Sequence, residues 1–140
     1  MMQRILVAYD GSELSKQALQ EARKKAEEFH ADVHVITIIN PTGPFTNKAV
    51  YKSIEEDLIK ESELELKKVE SGEFHDLSEN ITTEVLVGNA GAEICKYAEQ
   101  HDIELIIIGS RGLGNVKELF LGSVSHNVVQ HSHCPVLVIK

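Results

Sequence analysis

Two short glycine-containing segments carry the residues of this sequence best suited to binding an anion. They are Gly109–Gly112, which follows a strand-like run, and Gly122–Ser125, which opens a helix-like segment. Glycine lets the backbone turn sharply and approach a ligand without a Cβ in the way. The amide N–H groups of residues 123–125 are expected to point outward at the positive end of the helix dipole, where anions bind. The hydroxyls of Ser123 and Ser125 would add further donors.

A basic residue would neutralise charge on a bound phosphate, either Arg111 within the first segment or Lys117 between the two segments. A nucleotide fits if its phosphates lie on the glycine segments and its base lies toward the first two strands. The spacing differs from the two best-known phosphate motifs, because no G-x-x-x-x-G-K-[ST] occurs and Asp10-Gly11-Ser12 replaces G-x-G-x-x-G after the first strand. The segments therefore predict neither a Walker-type ATPase loop nor a standard dinucleotide site.

Asp10 is the one carboxylate for which a functional interpretation is favoured over a structural one. It lies just beyond the first strand-like run, and open α/β sheets bind ligands beyond the carboxyl ends of strands where the strand order reverses. The structural alternative is an Asx turn that closes the strand. Ser12 is interpreted as the N-cap of the next helix, because no His–Asp partner for a nucleophilic serine is identifiable.

The run from His131 to Cys134 suggests a metal site, but no fourth ligand is evident in the sequence. Histidines that end a helix more often interact with its C-terminal dipole, so we expect no protein metal site. Cys95 falls on the apolar stripe of a predicted helix and is interpreted as a core residue.

The elements that must position these residues alternate between strands and helices. Most of the strand-like runs are continuous and rich in Val and Ile, as in parallel sheets that are covered on both faces. The predicted strands are Ile5–Tyr9, Val33–Ile39, Thr83–Val87, Leu105–Ile108 and Val136–Ile139. The predicted helices are Glu13–Phe29, Lys48–Val69, Ala92–His101 and Val124–His131. This order predicts an α/β fold with a parallel sheet and helices on both faces.

Two segments that connect the predicted strands and helices are interpreted differently. The turn-rich stretch Asn40–Thr46 is long enough to form a mobile loop over a site, whereas Ser71–Asn80 is interpreted as a plain connection.

The composition bounds the class of protein. The chain has 140 residues, of which 42% are hydrophobic and 26% charged, and this predicts a single globular domain spanning residues 1–140. A net charge of −8 argues against nucleic acid and anionic membranes as partners. About half of that charge lies in Glu55–Glu70, which has seven acidic residues against three lysines. With no signal-like start, no membrane-length apolar run and only two cysteines, the expected location is the cytoplasm.

The motif Gly109-x2-Gly112-x9-Gly122-Ser123 resembles the G-2x-G-9x-G-[ST] motif of the universal stress protein family. The similarity extends through Ile106–Gly112 and Leu119–Ser125, and the segments Ile5–Ser12 and Cys134–Ile139 resemble the same family. The chain is thus identified as similar to the ATP-binding members, which carry this motif, over essentially its whole length.

The resemblance implies a five-stranded parallel sheet of order 3-2-1-4-5, a Rossmann-like open sandwich. It also implies a nucleotide site in which Asp10 and the backbone of residues 8–9 contact the nucleoside, Ile38 lines the adenine pocket, and residues 108–109 lie beside the ribose. The implied ligand residues are Ala8, Tyr9, Asp10, Ile38, Ile108, Gly109, Arg111, Gly112, Gly122, Ser123, Val124 and Ser125. Thr37 departs from the family, because many members have His at this position.

The function that the resemblance implies is a nucleotide-dependent switch or sensor in a stress response. The ligand would be ATP, or else AMP or ADP, with Mg²⁺ or Mn²⁺ on the phosphate oxygens. Hydrolysis is expected to be slow or absent, because no general base, water-positioning residue or P-loop lysine is assigned. A true ATPase and a nucleotide-independent dimeric interaction module are the alternatives. The last strand, Val136–Lys140, is expected to pair two subunits, and the sequence does not identify a downstream protein partner.

Overall fold

The computed structural model describes residues 2–40, 48–112 and 122–140. Strands and helices alternate along the chain, with one short 3₁₀ helix, His75–Asn80, before the third strand. The strands are β1 Arg4–Ala8, β2 Asp32–Ile39, β3 Ile81–Val87, β4 Leu105–Gly109 and β5 Val136–Ile139. The helices are α1 Glu13–Phe29, α2 Lys48–Ser71, α3 Ala90–Gln100 and α4 Ser123–His131.

The five strands form one parallel sheet in the order β3-β2-β1-β4-β5, which confirms the predicted fold. β1 lies in the middle, and Ile5 has Val33 of β2 and Leu105 of β4 as its register neighbours. Since β2 leads outward on one side of β1 and β4 on the other, the strand order reverses between β1 and β4. The carboxyl ends of these two strands therefore flank a crevice.

The central strands β1 and β4 are covered on both faces, since successive side chains of a strand point to opposite sides and residues 5–7 and 105–109 are buried. Ile5 and Val7 pack into a cluster beneath α1 and α2, whereas Leu6 packs into a second cluster beneath α3 and α4. All five residues of β4 are buried. This double covering explains the continuous apolar runs in the sequence.

Two helices begin at side-chain caps, of which the sequence predicts the first. The Ser12 hydroxyl accepts a hydrogen bond from the Ser15 amide at 3.2 Å, which confirms Ser12 as the N-cap of α1. The Asn89 side chain accepts from the Ala92 amide at 3.0 Å and caps α3.

Residues 71–80 are more than the plain connection that was predicted. Phe74 is fully buried in the cluster beneath α1 and α2, and the His75–Asn80 helix follows it. Arg23 on α1 holds this segment through the Asp76 carboxylate at 2.6 Å and through the Glu73 carbonyl. A lone aromatic residue in a polar stretch has no periodicity, so the sequence pattern missed its burial.

The loop predicted over the site falls, apart from Asn40, outside the described residues. Within the described part of the chain, no helix has the length and apolar character needed to cross a membrane.

Candidate functional site

A cleft of about 320 Å³ opens at the carboxyl ends of β1 and β4, at the lower end of the size range of small-molecule sites. All twelve residues predicted from the sequence line it. Lys117 lies outside the described residues. Six residues that the sequence did not assign to ligand binding also line the cleft: Ser12, Ser15, Ile36, Ala90, Ile94 and Ser110.

One wall of the cleft is apolar. Ile36, Ile94 and Ile108 are at most 5% exposed and belong to the cluster beneath α3 and α4. Ala8 and Ile38 pack against that cluster and extend the same wall. A flat apolar group such as a heterocyclic base has a complementary surface here.

The start of α4 forms another part of the cleft lining. Gly122 is the N-cap residue of this helix and forms no side-chain capping hydrogen bond, in contrast to the caps of α1 and α3. The cap residue therefore provides no side-chain acceptor for the amides of Ser123, Val124 and Ser125. Backbone donors at a helix N-terminus attract negative charge, so this end suits a phosphate.

The Ser110 carbonyl joins the two glycine-containing segments. It accepts a hydrogen bond from the Gly122 amide at 2.7 Å and another from the Ser125 hydroxyl at 2.9 Å. Ser125 is 2% exposed, and its hydroxyl also lies 3.1 Å from the Gly122 carbonyl. A hydroxyl has one proton, so Ser125 has none left for a phosphate. The expectation that both serine hydroxyls donate to a ligand is therefore corrected to Ser123 alone, with Ser125 contributing its amide.

Asp10 forms the Asx turn that was the structural alternative, because its Oδ1 accepts from the Ser12 amide at 2.9 Å. Its Oδ2 lies against the neighbouring glycine segment, since a Cβ built on Gly112 would be 2.6 Å from this oxygen. Between them Gly11 has a φ of +85°, a conformation that favours glycine. The turn thus holds one carboxylate oxygen and turns the other toward Gly112, at the mouth of the cleft.

Tyr9 presents its backbone to the cleft, because its side chain packs into the cluster on the other face of the sheet. Burial raises the pKa of the Tyr9 phenol. Its amide donates to the Ile36 carbonyl at 2.9 Å, and its carbonyl accepts from the Thr37 hydroxyl at 2.8 Å. Thr37, the residue that departs from the family pattern, therefore orients a backbone carbonyl at the edge of the apolar wall.

The additional lining residues follow from topology rather than from motifs. Ala90 and Ile94 belong to α3, which the right-handed crossover after β3 brings over the sheet beside the cleft. The Gly88-Asn89 turn after β3 was the available signal, because Asn89 starts α3 at this edge. Ser15 is 3% exposed and donates its hydroxyl to the Ser12 carbonyl at 2.9 Å, so its role here is structural.

The described lining is poor in groups that transfer protons. Asp10 is its one carboxylate and Arg111 its one basic residue, and no histidine is among the described lining residues. The chemistry that this set supports is binding of an anion beside an apolar group.

The other candidates from the sequence lie away from the cleft. His131 places Nδ1 3.0 Å from the Asn127 carbonyl at the end of α4, and no group of three potential metal ligands occurs among the described residues. Cys95 packs against the cluster beneath α3 and α4 as predicted, and burial raises the pKa of its thiol.

Proteins that are similar to this chain in sequence and in structure are universal stress proteins. Universal stress protein MJ0531 of Methanocaldococcus jannaschii is 34% identical over 143 residues, covering 100% of this chain and 83% of that protein. The solved structure of MJ0577 from the same organism superposes with a TM-score of 0.90 at 29% identity, covering 100% of this chain and 96% of that chain. A universal stress protein from Archaeoglobus fulgidus in complex with dAMP has the same fold, with a TM-score of 0.65 at 22% identity, and 100% and 98% of the two chains are covered. The model of the universal stress protein family matches residues 1–140, and the chain belongs to that family.

Proposed function

We propose that this protein binds ATP in the cleft between β1 and β4 and acts as a nucleotide-dependent switch or sensor in a stress response. The observation that carries the proposal is the cleft itself, which joins an apolar wall to a helix N-terminus without a side-chain cap. An adenine nucleotide has the matching shape and charge, with a flat apolar base at one end and anionic phosphates at the other.

In this proposal the base packs against Ile38 on the apolar wall, and the ribose lies beside Ile108 and Gly109. Asp10 and the backbone of residues 8–9 contact the nucleoside. The phosphates accept hydrogen bonds from the amides of residues 123–125 and from the Ser123 hydroxyl, close to Gly112, Gly122 and Arg111. The dAMP complex of the Archaeoglobus fulgidus protein supports an adenine nucleotide as the class of ligand, with AMP and ADP as alternatives to ATP.

A divalent cation, Mg²⁺ or Mn²⁺, would accompany the phosphates. The described lining offers Asp10 as its one carboxylate, so phosphate oxygens and water would supply most of the ligands of such an ion. Its contribution would be charge neutralisation.

Hydrolysis in this site is proposed to be slow or absent. A general base must reach the attacking water, and the one carboxylate of the described lining, Asp10, is assigned in this proposal to the nucleoside and not to the phosphates. Without a group that positions water, the bound nucleotide would remain intact. The switch would then depend on whether nucleotide is bound and not on its hydrolysis.

We further propose that the protein works in the cytoplasm as a homodimer whose subunits pair through the segment Val136–Lys140. β5 is an edge strand and its residues are half-buried in the single chain. An exposed apolar edge favours pairing with a second strand. A downstream protein partner would read the nucleotide state of this dimer.

The proposal is tested by calorimetric titration of the wild type and of Val124→Asp with ATP. Val124 lines the cleft in the first turn of α4 and is 37% exposed. An acidic residue at this position stabilises the helix dipole but repels phosphate, so we expect at least about a tenfold loss of affinity with no loss of thermal stability. Val124→Asn is the matched control, because it changes size in the same way without adding charge.

Absence of ATP binding by the wild type, or equal affinity in Val124→Asp and Val124→Asn, would overturn the binding proposal. Steady turnover above about 1 s⁻¹ would favour a true ATPase over a switch. Binding of ATP by the pure protein together with its absence from freshly isolated protein would favour a module that works without nucleotide.

A further inference from the structure

A cluster of three aromatic rings lies away from the cleft, on the C-terminal half of α3 and the start of β2. Tyr97 and His101 are stacked, with ring centroids 3.8 Å apart and planes inclined by 15°. His34 on β2 has Nδ1 2.7 Å from the Tyr97 hydroxyl, and its ring centroid lies 5.7 Å from that of His101. This contact joins α3 to the sheet through a hydrogen bond that involves a titratable ring.

The hydrogen bonds indicate which nitrogen atoms carry protons. His101 Nδ1 lies 3.0 Å from the Tyr97 carbonyl, which can only accept, so this nitrogen carries a hydrogen. Burial, with a smaller contribution from Glu84 of β3, raises the pKa of the Tyr97 phenol to about 12. The phenol therefore stays protonated near neutral pH and can donate to a neutral His34.

The surroundings of His34 disfavour a positive charge on its imidazole ring. Burial lowers the pKa of His34, and His101 and Arg4 of β1 lower it further, while Asp32 on β2 acts more weakly in the opposite direction. Arg4 itself donates to the His101 carbonyl at 3.0 Å and lies 3.7 Å from the Asp102 carboxylate.

Other charged groups border the α3 side of the cluster. Glu84, Glu93 and Lys96 line a groove of about 210 Å³ beside Tyr97 and His101. None of the three is among the groups that shift the pKa of His34. An imidazolium at His34 would thus be half-buried and face His101 and Arg4.

The same helix reaches the candidate nucleotide cleft at its other end. Ala90 and Ile94 line the cleft, one to two turns before Tyr97. α3 also packs tightly against α4, since a Cβ built on Gly91 would lie 2.8 Å from the Asn127 side chain. A shift of α3 would therefore displace the apolar wall of the cleft. It would also displace α4, whose N-terminus faces the proposed phosphate position.

We propose that protonation of His34 loosens the contact between α3 and β2 and thereby weakens nucleotide binding, so that acid is a second input to the site. The inference rests on the proposed function for its nucleotide part, whereas the loosening of α3 does not. The folded state favours neutral His34, so the unfolded chain binds a proton on this residue more readily. The contribution of His34 to stability is therefore present above the ordinary histidine pKa of about 6.5 and is lost as the pH falls below that value.

The first experiment is hydrogen–deuterium exchange of the last two turns of α3 at about pH 7.5 and about pH 5.5, on either side of the ordinary histidine pKa. The variant His34→Asn keeps an acceptor for the Tyr97 hydroxyl but cannot titrate. After correction for intrinsic exchange, we expect acid to accelerate exchange in the wild type at least about fivefold more than in His34→Asn. The control His30→Asn removes an exposed histidine after α1, at a left-handed position that Asn tolerates, and should respond as the wild type does. An equal response of the wild type and His34→Asn would overturn the proposal.

The second experiment titrates the same three proteins with ATP at both pH values. The terminal phosphate of ATP titrates in this range too, so the measured quantity is the acid-induced change in Kd of each variant relative to the wild type. We expect the wild type and His30→Asn to lose about fivefold more affinity than His34→Asn. Equal losses in all three proteins would overturn the link to the cleft. No ATP binding at about pH 7.5 would instead overturn the proposed function, and the exchange result would still decide whether His34 controls α3.

Discussion

The Ser125 hydroxyl donates a 2.9 Å hydrogen bond to the Ser110 carbonyl, and this bond ties the first turn of α4 to the end of β4. Both residues are at least 93% buried. The Gly122 amide meets the same carbonyl at 2.7 Å. The geometry of the proposed phosphate end of the cleft therefore depends on a hydrogen bond that does not involve the ligand.

The two serines at the start of α4 are expected to respond differently to alanine substitution. Ser125→Ala removes a buried donor while the Ser110 carbonyl keeps its bond to the Gly122 amide, so the free energy of unfolding should fall by about 0.5–1.5 kcal/mol. Ser123→Ala removes an exposed hydroxyl that lines the cleft beside the proposed phosphate position, and it should reduce ATP affinity with little effect on stability. Urea denaturation and calorimetry on both variants check this contrast. A stability loss confined to Ser123→Ala would contradict the assignment.

Gly112 is expected to be intolerant of a side chain because of Asp10. Alanine at this position would bring a Cβ to 2.6 Å from Asp10 Oδ2, so the carboxylate or the glycine segment must shift. We expect Gly112→Ala to weaken ATP binding about tenfold, or about 1.4 kcal/mol. A double-mutant cycle with Asp10→Ala checks the cause, because the Gly112→Ala effect should shrink once the carboxylate is absent. Additive effects would mean that the clash is not responsible.

Phe74 is expected to be a major contributor to stability although it lies in a polar connection. It is fully buried, and Phe74→Ala should lower the free energy of unfolding by about 3–5 kcal/mol. The control Leu64→Ala changes a side chain that is 60% exposed and should stay within about 0.5 kcal/mol of the wild type. Similar unfolding curves for Phe74→Ala and Leu64→Ala would show that this packing contributes little.

The proposed dimer depends on the outward edge of β5. The carbonyls of Pro135 and Ile139 accept from the amides of Ile106 in β4 and Ser110 just after it, and in a parallel strand alternate residues face the same side. The amide of Val138 therefore points away from β4. Val138→Pro should remove a donor needed by a second subunit while the β4–β5 ladder persists.

Light scattering should then give a dimer for the wild type and a folded monomer for Val138→Pro. The matched variant Leu137→Pro affects the side that faces β4 and should unfold the strand instead. A monomeric wild type, or a dimer that survives Val138→Pro, would contradict pairing through β5.

Much of the fold follows from local sequence. Runs such as Leu105–Ile108 predict covered strands because a strand between two helix layers needs apolar residues on both sides. Ser12 predicts a helix start because its hydroxyl satisfies an amide three residues away. The glycine motif singles out the cleft for a similar reason, since close backbone approach and sharp turns require residues without a Cβ.

The tertiary structure alone decided which of these groups remain available to a ligand. Ser125 and Ser110 are 15 residues apart, and His34 and Tyr97 are 63 apart, so no local periodicity connects them. Phe74 is buried because the chain returns against α1, which the polar residues around it do not reveal. Sequence patterns report what the backbone and its nearest neighbours require. The partner of a hydroxyl proton or an aromatic ring is set by the packing of distant segments, and for that reason the sequence predicted the cleft but not the hydrogen bonds that shape it.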